Sequence, residues 1–144
     1  MSKEHPDYDD ANLVLRLYEL RREAVMRASR DAMNAKFLPR SYEDLLAVAS
    51  PEHPLNAAFR QVSTYWEMVY GMARHGIAHA EYLVENNAEG LLLFAKVAPY
   101  LERFRAERLP MAFRHAEWAA RETAIGQQRL QLFTKRVAAL LAAQ

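Results

Sequence analysis

Apolar positions recur along most of this chain with the spacing of one face of an α-helix. The pattern is strongest over residues 54–76, where apolar residues return every three or four positions and Pro54 suits a first helical turn. No stretch alternates apolar and polar residues as a half-buried strand does. The pattern therefore predicts an all-α fold. The stripe of this helix is Ala58, Val62, Trp66, Val69, Ala73 and Gly76.

The same periodicity predicts two helices ahead of this one. Asp9 or Asp10 is a suitable N-cap for a first helix, because a carboxylate accepts hydrogen bonds from the unpaired amides there. The apolar stripe then continues to about Lys36. Ser41, followed three residues later by an acidic residue, predicts a short connecting helix that ends before Pro51.

Two further helices are predicted in the second half of the chain. A helical stripe covers residues 88–108, but Pro99 lacks an amide donor and should bend the helix near Val97. Pro110 is expected to open a final helix that reaches almost to the C-terminus.

Length and composition place these helices in one domain. A chain of 144 residues is long enough for one core. We expect a single domain over residues 1–144, an irregular bundle of four to five main helices, with residues 1–8 as a flexible N-terminus. Nineteen Lys and Arg against 18 Asp and Glu give no strong charge to attract nucleic acid. Without Cys there is no disulfide or thiolate chemistry, and no apolar run is long enough to cross a membrane. We expect a cytoplasmic protein without a cofactor.

The segment "RHGIAH", residues 74–79, contains two histidines four residues apart. In a continuous helix, His75 and His79 would share one face, as in helical metal sites. Gly76 favours a different structure, because glycine ends helices in the left-handed conformation and an apolar neighbour such as Ile77 closes the motif. We favour this helix break, although Gly76 could instead allow a close helix crossing within one long helix.

Residues 64–105 resemble an uncharacterised family of small bacterial helical proteins. In that family an aromatic–Glu pair precedes a helix, a Gly with an aliphatic neighbour ends it, and a second helix leads into a Pro-bearing one. The acidic cap that usually follows the aliphatic residue in this family is replaced here by Ala78 and His79. The resemblance implies an all-helical fold and a break at the Gly, and it implies no activity. The matching positions are Trp66–Glu67, Gly76–Ile77 and Pro99.

A shorter likeness points to an enzyme. Residues 74–79 resemble the Arg-x4-His signature of the all-helical HEPN ribonucleases. This resemblance would make His79 a general acid/base and Arg74 the group that stabilises phosphate charge. The signature normally lies at the start of a late helix, whereas here it lies in the middle of the chain.

A metal site is a further hypothesis. His115 and Glu122 lie seven residues apart on the predicted last helix, hence on one flank of it. With His79 from another helix they would complete a set of ligands inside the bundle. The alternative is that His115 is a histidine at the edge of the core, hydrogen-bonded to one neighbour.

Arg21 falls near the middle of the first helix's apolar stripe, where an unpaired charge is costly. We predict a carboxylate partner, Glu67 or Glu81, unless the arginine extends to water beside the stripe. The pair would be either a structural lock or the polar end of a ligand pocket, which the aromatic residues Tyr65 and Trp66 would also line.

The leading functional hypothesis is a non-enzymatic helical protein that acts by self-association, as a homodimer, or by binding a protein partner. Its basis is a set of wide apolar stripes without a coherent catalytic set. The alternatives are the ribonuclease with Arg74 and His79 and the metal- or small-ligand-binding bundle.

Overall fold

Helices account for the whole architecture of residues 3–143, the part of the chain that the computed structural model describes. Residues 1, 2 and 144, which include part of the predicted flexible N-terminus, lie outside it. The predicted all-α fold is confirmed. The helices are α1 (Tyr8–Arg22), α2 (Ala24–Lys36), α3 (Tyr42–Val48), α4 (Asn56–Arg74), α5 (Ala80–Asn86), α6 (Glu89–Val97), α7 (Leu101–Glu107), α8 (Arg114–Glu122) and α9 (Ala124–Ala142), with a 3-10 turn at Ala98–Tyr100.

The predicted first helix to Lys36 is wrong, because it breaks at Glu23. This residue has an extended backbone, with a ψ of 143°. Its carboxylate accepts from the amides of Val25 and Met26, each at 3.0 Å, so Glu23 caps the new helix α2. The N-cap of α1 is Asp7, so the predicted cap, Asp9 or Asp10, lies two or three residues too late.

The predicted single helix from Pro110 is also wrong. Residues 109–113 form a turn that ends in Phe113, which has a left-handed φ of 57°, and α8 begins only after it. A second break follows at Thr123, whose hydroxyl accepts from the amide of Gly126 at 2.9 Å and so caps α9. These extra breaks divide the expected four to five main helices into shorter ones.

The predicted break at Gly76 is confirmed. Gly76 has a φ of 72°, its amide donates to the carbonyl of Ala73 at 3.1 Å, and the amide of Ile77 donates to Met72 at 3.0 Å. This is the hydrogen-bond pattern of a Schellman helix end. The side chain of Ile77, however, is exposed, and Ala78 is the buried residue after the turn. The predicted bend near Val97 is confirmed as well, since α6 ends there and the 3-10 turn follows.

Helix α4 occupies the centre of the fold. It packs against α2 on one side and α8 on another, while α6 packs against α9. Helix α6 is buried from Gly90 to its end, and Gly90 is required because a Cβ there would lie 2.6 Å from the ring of Trp66. The bundle therefore has one main core around α4, and grooves remain where shorter helices meet it.

Candidate functional site

Arg74 and His79, the residues of the ribonuclease hypothesis, lie on either side of the Gly76 turn. Arg74 is the exposed last residue of α4, and His79 is the N-cap of α5. The His79 Nδ1 accepts from the amide of Tyr82 at 3.1 Å, and Nε2 lies 3.3 Å from the carbonyl oxygen of Glu4. The ring thus carries its proton on Nε2, and both nitrogens contact backbone groups. General acid/base chemistry at His79 would require the loss of one of these contacts, so the ribonuclease hypothesis stays a prediction.

Asp10 ties the start of α1 to the start of α5. Its buried carboxylate accepts from the amides of His79 and Asp7, each at 2.9 Å, and from the ammonium of Lys3 at 3.0 Å. Burial by itself raises the pKa of Asp10, but these three hydrogen bonds outweigh it and lower the pKa to about 2. The sequence indicated that an acidic residue caps a helix here. It did not indicate that the same carboxylate also binds the amide that begins α5.

His79, His115 and Glu122 are not brought together. The described part of the chain contains no group of three or more His, Asp or Glu that could hold a metal ion. His115 instead lies edge to face with His75, with ring centroids 5.5 Å apart, and its buried Nδ1 has no hydrogen-bond partner within residues 3–143. Burial, followed by the positive charge of Arg114, lowers the pKa of His115.

The predicted carboxylate partner of Arg21 is wrong, because Glu67 and Glu81 cap other helices. The Glu67 carboxylate accepts from the amides of His115 and Ala116 at 3.0 and 2.8 Å, at the start of α8. The Glu81 carboxylate does the same at the start of α9, with distances of 2.8 and 3.0 Å to the amides of Ala124 and Ile125. Burial raises the pKa of Glu67, and the two amide hydrogen bonds oppose that effect. A helix N-terminus is a good partner for a carboxylate, which explains this choice.

Arg21 binds neutral groups instead. Its guanidinium donates to the side-chain oxygen of Asn87 and lies 5.5 and 5.8 Å from the ring centroids of Tyr18 and Trp66. An amide oxygen and two aromatic faces satisfy a half-buried cation without a carboxylate. A cleft of about 330 Å³, the arginine cleft, opens beside it. Its charged and aromatic lining residues are Tyr18, Arg21, Arg22, Arg27, Arg30, Trp66 and Glu89.

The four predicted ligand-binding residues are therefore divided between two sides of α4. They are Arg21, Tyr65, Trp66 and Glu67. Arg21 and Trp66 line the arginine cleft. Tyr65 is buried beside it and donates to the carbonyl of Leu17 at 2.7 Å. Glu67 lines a different and larger opening, which the sequence did not predict.

This larger opening, the apolar groove, has a volume of about 670 Å³ and lies between α3, α4, α7 and the turn before α8. Ser63 and Thr64 line it, but their hydroxyls each donate to a carbonyl one turn earlier at 2.6 Å. At the rim, Leu109 and Met111 are 54% and 55% exposed. Sequence periodicity could not reveal the groove, because its walls come from separate elements. Its apolar lining consists of Ala49, Phe59, Phe104, Leu109, Met111, Ala112 and Phe113.

Comparison with known proteins relates this chain to a family. The sequence model of a protein family described as a domain of unknown function, DUF4760, matches residues 8–123. The predicted likeness to an uncharacterised helical family is thereby confirmed. Neither the curated proteins nor the solved structures contain a match to this chain. No helix between residues 3 and 143 combines the length and apolar character that crossing a membrane requires.

Proposed function

Because this chain belongs to DUF4760, a family described only as a domain of unknown function, we propose its function from the geometry: it binds an apolar small molecule in the apolar groove. The groove's volume of about 670 Å³ falls within the range of roughly 300–1,000 Å³ that is usual for small-molecule sites. This combination of size and apolar lining is the observation that carries the proposal.

The polar groups of the groove support an apolar ligand. The hydroxyls of Ser63 and Thr64 are engaged by backbone carbonyls, and the carboxylate of Glu67 is engaged by the amides of α8. The groove is also lined by two arginines: Arg60 donates to the side-chain oxygen of Asn56 at 2.9 Å, and Arg108 is exposed to water. These groups do not need a ligand to satisfy them. The main gain from binding is the burial of exposed apolar surface, such as that of Leu109 and Met111, at about 25 cal/mol per Å².

A neutral fluorescent probe tests the proposal. N-phenyl-1-naphthylamine becomes bright when it leaves water for an apolar site, and we expect saturable binding to the wild-type protein. Leu109→Gln and Met111→Gln are expected to weaken binding several-fold, since each replaces apolar rim surface with an amide. Leu132→Gln is the matched control, because Leu132 is 56% exposed on α9, away from the groove.

Two outcomes of this experiment would count against the groove. One is the absence of probe binding to folded wild-type protein. The other is equal binding by Leu109→Gln, Met111→Gln and Leu132→Gln, which would place the probe elsewhere. Thermal melting of each variant verifies that it is folded.

Self-association is the second candidate, and a specific feature of α1 favours it. Tyr8, Leu15 and Tyr18 are 79%, 61% and 50% exposed, and with Ala11 they follow the alternating three- and four-residue steps of a helix-pairing seam. The opposite side of α1 carries the buried Leu17. We propose that a second copy of the chain covers this stripe through its own α1.

Sedimentation equilibrium tests the dimer. We expect wild-type protein to form dimers at tens of micromolar concentration and Leu15→Glu to be a monomer, because a charge in the seam would be desolvated. Leu132→Glu, which introduces the same charge at a similarly exposed leucine, should remain a dimer. A wild-type monomer under these conditions would refute the proposal.

A further inference from the structure

Lys96 has a buried stem and an ammonium without a partner in the described part of the protein. It lies in the last turn of α6 and is only 5% exposed. Within residues 3–143 its ammonium makes no ion pair or hydrogen bond to any carboxylate or carbonyl. Burial lowers the pKa of Lys96, the charge of Arg136 lowers it further, and Glu89 opposes them. The ammonium is not among the fully buried polar atoms that lack a partner, so it reaches the protein surface, where a ligand can supply an acceptor.

Lys96 lines a cleft of about 430 Å³ between α2, α6 and α9. Two further cations, Arg129 and Arg136 on α9, line the same cleft, and neither has an ion pair among the described residues. The floor is apolar and is formed by Leu92, Phe133 and Leu140. We call this the lysine cleft.

The one carboxylate of the lysine cleft is already engaged. Glu89 accepts from the guanidinium of Arg30 at 2.6 and 2.9 Å and from the amide of Asn34 at 2.9 Å. It therefore does not balance the three cations. The cleft holds a surplus of positive charge, and the Lys96 ammonium has three hydrogens to donate.

We propose that the lysine cleft binds a small phosphate monoester, with the phosphate on Lys96, Arg129 and Arg136 and the organic part on the apolar floor. A dianionic phosphate matches three cations better than a single carboxylate does, and its oxygens accept charge-assisted hydrogen bonds from Lys and Arg. The floor excludes water from one side of the phosphate, which strengthens these contacts.

This site is separate from the apolar groove. The two openings share no lining residue, so one can fail without the other. Arg129 and Arg136 also lie beyond residues 8–123, the part that matches the family, whereas Lys96 lies within it.

Isothermal titration of the full chain with phenyl phosphate tests the proposal, because this probe joins a phosphate dianion to an apolar ring. We expect wild-type protein to bind it and Lys96→Met to bind at least about tenfold more weakly, since a charge-assisted contact is lost. Arg129→Gln and Arg136→Gln should each weaken binding several-fold. Arg16→Gln, which removes one charge from the exposed face of α1, is the matched control and should bind like wild type.

Melting temperatures distinguish a loss of the binding site from a loss of the folded structure. Lys96→Met should melt no lower than wild type, because methionine keeps the buried apolar stem and removes a charge that has no partner in the described part of the protein. Phenyl phosphate should raise the melting temperature of wild type but not that of Lys96→Met. No binding at millimolar phenyl phosphate, or equal binding by Lys96→Met, would overturn the proposal.

A lipid headgroup is the other source of the same chemistry. Vesicles that contain phosphatidic acid present a phosphate monoester on a surface, and the proposal expects no Lys96-dependent sedimentation with them. If the protein sediments with these vesicles but does not bind phenyl phosphate, the soluble ligand is ruled out.

Discussion

Asp10 shows how one side chain satisfies backbone groups of two helices at once. Its carboxylate completes the capping box of α1 through Asp7 and also binds the amide of His79, which begins α5. Glu67 and Glu81 act similarly across the fold at the starts of α8 and α9. Each carboxylate was visible in the sequence, but the helix that it caps was not, because the distant amides become available only where that helix begins.

Asp10 should make the stability of the protein sensitive to acid. Its pKa of about 2 in the folded protein lies below the ordinary value of 3.8, so folding favours the carboxylate form. The resulting stabilisation is complete above about pH 4 and is lost as the pH falls towards 2. At neutral pH, Asp10→Asn should lower the free energy of unfolding by about 1–3 kcal/mol, because an NH2 donor replaces one of the two oxygens and one backbone amide loses its acceptor. Urea unfolding at neutral and acidic pH measures both effects.

Asp9→Asn is the control for this prediction. Asp9 lies on the exposed side of the same helical turn, so its loss should change the stability little at either pH. If Asp10→Asn loses no more stability at neutral pH than Asp9→Asn does, the tie between α1 and α5 contributes little.

At the scale of elements, some helix ends are caused by a single residue, and others depend on how neighbouring helices pack. Gly76 could be predicted because a left-handed helix end requires a residue that tolerates a positive φ, and glycine does so best. The breaks at Glu23 and Thr123 use extended conformations that any residue can adopt. Helical periodicity continued through both positions, so the breaks depend on how the following helices dock.

Gly76→Ala should destabilise the protein by about 1 kcal/mol, because alanine at a φ of 72° brings its Cβ close to the backbone. Gly76→Asn should cost less, since asparagine tolerates the left-handed region. Chemical denaturation of both variants measures the difference. Equal losses for Ala and Asn would show that packing space, and not backbone conformation, makes Gly76 necessary.

At the scale of the whole molecule, one apolar cluster joins helices from both ends of the described chain. It includes Leu17 and Met26 from α1 and α2, Trp66 from α4, and Ala119 from α8. A smaller cluster beneath α9 contains Leu92 and Val137. Because the main cluster connects nearly all helices, we expect them to unfold together.

Two spectroscopic probes check this expectation. Far-ultraviolet circular dichroism reports the helices, and in Trp118→Phe the fluorescence reports Trp66 in the core. Thermal and urea transitions measured by the two methods should coincide. An earlier loss of helix signal, with Trp66 still buried, would mean that some helices unfold separately from the core.

The sequence by itself determined the all-α fold, the short connector from Ser41, the end of α4 at Gly76 and the bend after Val97. These features follow from local chemistry: apolar spacing, capping side chains, the freedom of glycine and the missing amide of proline. Only the tertiary structure decided the breaks at Glu23 and Thr123, the neutral partners of Arg21 and the two openings beside α4 and α6. Those features depend on groups that are far apart in the chain and meet only when the helices pack.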